Sequence, residues 1–172
     1  MERLRENIDA NDFVFNKKAN ALVAEGVLGK EKVTLVLPET MMNLSGKAVL
    51  PFVKSVKAAQ TLLVVHDDLD LPLGVTKMVV GRGSGGHKGV ESIMRAIKTK
   101  DFARLRIGIS ATGKKNQAKK VSGEEKVIKH VIGKFKPAED AILKKVMKKS
   151  AEAALLFISD GVEVATMFAN TR

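Results

Sequence analysis

An apolar run that ends in charged residues and precedes a glycine-rich loop is the feature that most constrains this chain. The run, residues 62–65 (Leu-Leu-Val-Val), is too short for a helix and β-branched enough to predict a buried strand. His66, Asp67, Asp68 and Asp70 follow at once. Open α/β sheets bind their ligands at the carboxyl ends of such strands. The alternative for Asp68 and Asp70 is ordinary turn chemistry, since Asp favours turns.

The glycine-rich loop, residues 81–86 (Gly-Arg-Gly-Ser-Gly-Gly), joins a second predicted strand at 75–80 to a helix that runs to about residue 98. Its backbone amides could face an oxyanion or a phosphate beside the helix N-terminus. The alternative is a tight strand-to-helix connection. The loop also matches the dinucleotide fingerprint G-x-G-x-x-G, but Asp101 precedes the next strand instead of closing one. A nucleotide-binding α/β protein is therefore the weakest alternative.

The remaining patterns predict one α/β domain over residues 1–172. The predicted elements are a helix tail at 2–8, a hairpin of 13–25 and 32–37, a helix from Lys47 capped by Ser45, a strand at 104–109 and a long helix from 137 to 159. Residues 111–125 show no periodicity and predict a mobile basic loop.

The positive charge of the chain is concentrated in one segment. The net charge is +11, and residues 111–149 alone hold 12 Lys and 4 acidic residues, a net of +8. Such a segment indicates a polyanionic partner, and the alternative is a solvated lysine-rich face. Because the chain has no Trp or Tyr, phosphate contacts would supply more affinity than base stacking. The absence of Cys excludes a disulfide framework and a cysteine nucleophile, and no run approaches the length of a membrane span.

Several segments occur in an order that resembles bacterial-type peptidyl-tRNA hydrolase. They are MMNLSGKAV at 41–49, HDDLDLPLG and GSGGHKG within 66–89, FARLRIGIS at 102–110, VIGKFKPAE at 131–139 and DGVEVATMFAN at 160–170. The resemblance implies an enzyme that cleaves the ester between a peptide and the 3′ ribose of tRNA. It also implies a mixed sheet between helices, a cytoplasmic monomer, and no metal or cofactor.

The resemblance assigns roles to individual residues. Asp67 falls on the carboxylate that supports the catalytic base, which fits a carboxylate that fixes an imidazole tautomer. Asn43 falls on the substrate-binding Asn, and its amide is both a donor and an acceptor. Further predicted contacts to the substrate or tRNA are Met41 beside Asn43, the loop residues Gly85, Gly86 and His87, Lys88 where the family usually has Asn, Arg106 on a phosphate-binding position, and Lys77 and Arg104 as weaker candidates.

The catalytic His is the main departure from the family. The family opens with a strand, a GNPG-like turn and a TRHN-like segment that supplies this His, and nothing in this sequence matches it. Met1 falls inside the helix that follows, so we expect an N-terminally incomplete domain. His87 is then a candidate substitute base. The alternative function is a tRNA-binding protein without hydrolase activity.

Overall fold

Two three-stranded β-sheets form the framework of the computed structural model, which describes residues 1–113, 117–119 and 121–171. The first sheet is antiparallel, and its strands are β1 (Val14–Asn16), β2 (Ala21–Leu28) and β3 (Glu31–Pro38), in that order. The second consists of β4 (Leu63–Pro72), β5 (Thr76–Val80) and β6 (Ala103–Ser110), in the order β4-β6-β5. Strand β6 is parallel to β4 and antiparallel to β5. The prediction of a mixed α/β fold is confirmed.

Helices flank these sheets. They are α1 (Glu2–Asn7), α2 (Ser45–Val49), α3 (Val56–Ala59), α4 (Lys88–Ile97), α5 (Glu124–Val131), α6 (Asp140–Ser159) and α7 (Val162–Asn170), with 3-10 turns at Met42–Leu44 and Pro137–Glu139. In the described part of the chain, none of them combines the length and apolarity needed to cross a membrane.

The predicted strand at 13–25 is in fact two strands separated by a turn. The Asn16 side chain accepts a hydrogen bond from the amide of Ala19 at 3.0 Å, and Asn20 has a φ of +47°. Asn tolerates this left-handed conformation and favours turns. The sequence therefore forms a three-stranded meander instead of one hairpin.

Strand β4 is longer than the apolar run predicted. Its pairing with β6 continues through Asp68, which lies opposite Gly108, and after a bulge Pro72 lies opposite Ser110. The prediction that the strand ends at Val65 is wrong because backbone pairing, and not apolarity, sets its length. The acidic residues consequently lie within the strand.

Helix α2 begins at Ser45, so this residue does not cap a helix that starts at Lys47. Its hydroxyl donates to the Met42 carbonyl at 2.8 Å. The helix approaches α4 closely at Gly46, whose amide donates to the Ser92 hydroxyl at 3.0 Å. A Cβ on Gly46 would lie 2.3 Å from the Ser92 carbonyl oxygen, so only glycine fits this contact.

Helix α4 packs on one side of the second sheet, and α6 and α7 pack on the other. Val90, Ile93 and Ile97 of α4 form a buried cluster with Phe102. The second cluster joins Ala153 of α6 and Ala165 and Ala169 of α7 to Met78 and Leu105 of the sheet. The first cluster fixes the start of α4, and with it His87, beside the second sheet.

The predicted mobile loop at 111–125 is described only in part. Thr112 and Ala118 form an isolated antiparallel bridge. Residues 114–116 and 120 lie outside the described residues. The mobility of this segment stays a prediction.

Candidate active site

The centre of the site is a contact between the two residues that the sequence singled out for catalysis. His87 Nε2 lies 3.1 Å from Asp67 Oδ1, although 20 positions separate the two residues. Strand β4 supplies the carboxylate, and the residue that precedes α4 supplies the imidazole. A carboxylate bonded to an imidazole is an arrangement that can serve acid–base chemistry.

The hydrogen bonds of His87 define its tautomer. Nδ1 accepts the Val90 amide at 3.2 Å, which makes the His87 side chain the N-cap of α4. An N–H group cannot accept a hydrogen bond, so Nδ1 carries no proton and Nε2 donates to Asp67. Both nitrogens of the neutral ring are therefore engaged. In this arrangement His87 has no unoccupied lone pair with which to act as a base.

The contact with His87 also sets the ionisation of the carboxylate. The hydrogen bond from His87 is the largest effect on the pKa of Asp67 and lowers it, against the opposing effect of burial. Asp67 is therefore a carboxylate at neutral pH. Its side chain remains 30% exposed, so a substrate or a water molecule can reach it.

His66 is a second imidazole at the site. Its ring packs edge-on against that of His87, with the centroids 4.7 Å apart. Nδ1 lies 2.7 Å from the Asp67 carbonyl oxygen, which can only accept, so Nδ1 carries the proton. Nε2 is then a buried lone pair with no hydrogen-bond partner among the described residues. Burial lowers the pKa of His66 to about 4, which keeps the ring neutral.

The segment that holds the predicted substrate-binding residues Asn43 and Met41 lies beside this pair, and it contributes Met42 as well. Asn43 is exposed in the 3-10 turn next to α4. Met41 is 75% exposed. Met42 is the methionine that borders the site, because a Cβ on Gly89 would lie 2.5 Å from Met42 Sδ and 3.1 Å from His87 Cε1.

Two of the predicted phosphate contacts are adjacent on the second sheet. Lys77 of β5 lies opposite Arg106 of β6 in the strand register. Lys77 is exposed, whereas Arg106 is partly buried and its Nε donates to the carboxylate of Asp68. This arrangement places two cations on one face of the sheet, one of them paired with Asp68 of β4.

Lys88 is exposed beside the pair of His87 and Asp67 and has an intramolecular partner. Its Nζ lies 2.8 Å from Glu124 Oε1 on α5, and both side chains are mostly exposed. Exposed ion pairs of this kind contribute little stability. A substrate phosphate could therefore displace Glu124 at small cost.

Arg104 does not have the surface position that its predicted contact with tRNA requires. The residue is 2% exposed, and its Nη2 donates to the Arg82 carbonyl at 2.9 Å. The glycine-rich loop thus contacts this guanidinium. The sequence predicted a contact with tRNA for Arg104, but no local pattern could show that the folded chain buries this residue.

Sequence reasoning missed two residues of the site, Met42 and His66. Met42 is the neighbour of Met41, whose predicted contact with the substrate stays a prediction. His66 was not among the predicted site residues, yet its ring packs against that of His87, which also contacts Asp67. No group of three or more metal-binding side chains occurs among the described residues.

Comparison with known proteins identifies the family. A family model described as peptidyl-tRNA hydrolase matches residues 1–172. A peptidyl-tRNA hydrolase from Dehalococcoides mccartyi is 39% identical over 159 residues, which cover 91% of this chain and 80% of that protein. One from a Hydrogenobaculum species is 38% identical over 144 residues, which cover 83% of this chain and 72% of the relative.

A solved structure indicates the same family as these sequence relatives. The crystal structure of peptidyl-tRNA hydrolase from Acinetobacter baumannii has a TM-score of 0.84 and 30% identity, and the match covers 99% of this chain and 82% of that one. These findings favour a hydrolase and do not support a tRNA-binding protein without activity. They do not confirm that a segment with the catalytic His is missing, which stays a prediction. The chain belongs to the peptidyl-tRNA hydrolase family of enzymes.

Proposed function

We propose that this chain hydrolyses the ester that joins a peptide to the 3′ ribose of tRNA. The observation that carries the proposal is the hydrogen bond between His87 and Asp67 beside the glycine-rich loop. Water attacks the ester carbonyl carbon, the bond to the ribose oxygen breaks, and the released 3′ oxygen takes a proton. The products are a free peptide and tRNA, which supports translation.

Asp67 is the supporting carboxylate in this proposal. One of its oxygens is held by the Nε2–H of His87, and the carboxylate can orient the group that removes a proton from water. His87 itself can accept that proton only after its Nδ1 leaves the Val90 amide. We therefore expect slow turnover if His87 is the only base available.

Polar groups around the pair bind the substrate in this proposal. Asn43 can donate to a substrate carbonyl and accept from a bound water. Gly85 and Gly86 have φ values of +63° and +82°, and with no Cβ they leave the loop backbone open to close approach by the substrate. Met42 lines the same area because it borders Gly89 and His87.

Contacts to the RNA are proposed for three cations near the site, of which two are exposed and one, Arg106, is partly buried. Lys77 and Arg106 form one phosphate contact area on the second sheet, and Lys88 forms another beside His87. The basic segment 111–149 adds a longer-range attraction for the polyanion. We propose a monomer as the active unit, as the resemblance to the family implies. Peptidyl-tRNA arises during protein synthesis, which favours a cytoplasmic location.

A single-turnover assay on peptidyl-tRNA with enzyme in excess tests the function. Asp67→Asn should lower the rate by about 10² to 10⁴-fold, because it disturbs the acid–base pair, while tRNA affinity stays the same. Asp70→Asn is the matched control, since it removes the same charge from an exposed position three residues away. Ester cleavage that is absent in the wild type, or undiminished in Asp67→Asn, would contradict the proposal.

A further inference from the structure

Arg104 is a buried cation without a carboxylate partner. It is 2% exposed, and no Asp or Glu oxygen in the described residues lies within ion-pair distance of its guanidinium. Asp68, an acidic residue of the same sheet, is engaged by Arg106. Burial, and then the charge of Arg106, lower the pKa of Arg104 below its ordinary value. A buried charge held this way costs free energy that an apolar side chain of similar size would not.

The guanidinium makes one contact that accounts for its position. Nη2 donates to the Arg82 carbonyl at 2.9 Å, while Nε is buried and has no partner among the described residues. Within those residues, Arg104 is the one side chain from outside the loop that bonds to the backbone of residues 82–86. The bond links strand β6 to the beginning of the glycine-rich loop, a segment with little other support.

The loop needs such a link because its own backbone is permissive. Gly81, Gly85 and Gly86 have φ values of +65°, +63° and +82°. Glycine adopts this left-handed region without strain, but it adopts other regions just as readily, so its own preference does not fix the loop conformation. The loop ends at His87, whose ring must lie at a fixed distance from Asp67 and from the Val90 amide. A shift of the loop would therefore displace the imidazole.

We propose that Arg104 is a positioning residue for the catalytic pair: its guanidinium holds the glycine-rich loop through the Arg82 carbonyl and so keeps His87 in register with Asp67. This role replaces the direct RNA contact that the sequence predicted for Arg104. Its kinetic consequence rests on the proposed hydrolase function, whereas its structural consequence does not.

The test compares Arg104→Met, which keeps the length of the side chain without its donors, with Arg104→Lys, which keeps one cationic donor. Arg95→Met is the matched control, because Arg95 is exposed on α4 and outside the site. For each protein we measure thermal unfolding, the amide hydrogen exchange of residues 83–87, the nitrogen chemical shifts of the His87 ring, and single-turnover kinetics with the salt dependence of tRNA binding.

In Arg104→Met, exchange of the loop amides should rise at least about tenfold, and the His87 ring signals should shift or broaden. The rate constant should fall about 10- to 100-fold, as expected for a displacement of about 1 Å, while the substrate concentration at half-maximal rate changes by less than about threefold. The midpoint of thermal unfolding should stay within a few degrees or rise, because a buried charge is removed. Arg104→Lys should recover part of the rate, and Arg95→Met should match the wild type.

Three results would overturn the inference. Loop exchange and His87 signals that do not change in Arg104→Met exclude a positioning role. A loss of rate that only parallels a loss of thermal stability indicates a structural role. If Arg104→Met reduces the slope of log tRNA affinity against log salt concentration by about 0.7 to 0.9, Arg104 contacts a phosphate directly. If the wild type does not cleave peptidyl-tRNA, the proposed function fails, and the exchange and chemical-shift measurements still decide the role of Arg104.

Discussion

His87 Nε2 donates to Asp67 Oδ1 at 3.1 Å while His87 Nδ1 accepts the Val90 amide at 3.2 Å, so one imidazole joins the carboxylate to the first turn of α4. The ring therefore has two separable tasks. One is to hold and stabilise the carboxylate, and the other is to cap the helix. Substitutions that remove one task and keep the other can distinguish them.

The first prediction separates these tasks with two variants of His87. His87→Ala should lower the free energy of unfolding by about 1 kcal/mol, because the cap is lost, and should also lower turnover. His87→Asn keeps a good capping side chain that is too short to reach Asp67, so turnover should fall while stability is preserved. Denaturant unfolding and single-turnover rates check both effects. Normal turnover in His87→Asn would show that the contact with Asp67 is not needed.

The second prediction concerns acid stability and His66. Its pKa is about 4 in the folded protein and about 6.5 in an unfolded chain, so the unfolded state binds more protons between these values. The free energy of unfolding should be unaffected by this group above pH 6.5, then decrease as the pH falls to 4, by about 3 kcal/mol in total. Asp67, whose pKa is lowered from 3.8, loses its stabilising effect only below that window.

Denaturant unfolding between pH 7 and 4 measures this effect. His66→Asn keeps a donor for the Asp67 carbonyl but has no group that titrates in the window, so its stability should vary less with pH than that of the wild type. The comparison uses the slope and not the absolute stability, because the smaller side chain also leaves a cavity. Identical slopes in the two proteins would assign the acid sensitivity to other groups.

The third prediction concerns RNA binding through Lys77 and Arg106. Affinity for tRNA should fall steeply with salt, by roughly 0.7 to 0.9 log units per log unit of salt for each phosphate contact. Lys77→Ala should weaken binding and reduce this slope by about one contact. Arg106→Ala should do the same, but it also leaves the partly buried Asp68 without its cation, so the stability of that variant must be measured.

A fluorescence binding titration at several salt concentrations measures these slopes. Lys57→Ala, which removes an exposed charge from α3 on another part of the surface, serves as the control and should leave the slope unchanged. A salt-independent affinity would exclude binding through phosphates.

The fourth prediction concerns the outer edge of β4. In the described residues this strand pairs only with β6, and Val65 in its apolar half is 42% exposed. Unpaired strand edges promote association between chains, and lysine on an edge opposes it. At high concentration the protein should therefore self-associate or bind an apolar dye, and Val65→Lys should reduce both. Light scattering and dye fluorescence check this, and equal association in both proteins would exclude the β4 edge as the cause.

The sequence determined the features of this protein that depend on neighbouring residues. Apolar runs predicted the three strands of the mixed sheet, the glycine-rich loop predicted the entry to α4, and the period of residues 137–159 predicted the long helix. Asp67 and His87 were both recognised as candidates. These signals are local, because side-chain alternation, turn preference and helical spacing act over a few residues.

Tertiary structure alone decided which of those residues meet and which are exposed. The length of β4 depends on its pairing with β6, and the bond between Asp67 and His87 depends on the packing of α4 against the sheet. The buried guanidinium of Arg104 donates to the carbonyl of Arg82, which lies in a loop from a different part of the chain. Such contacts join residues about 20 or more positions apart, and no local pattern in the sequence encodes the distance between them.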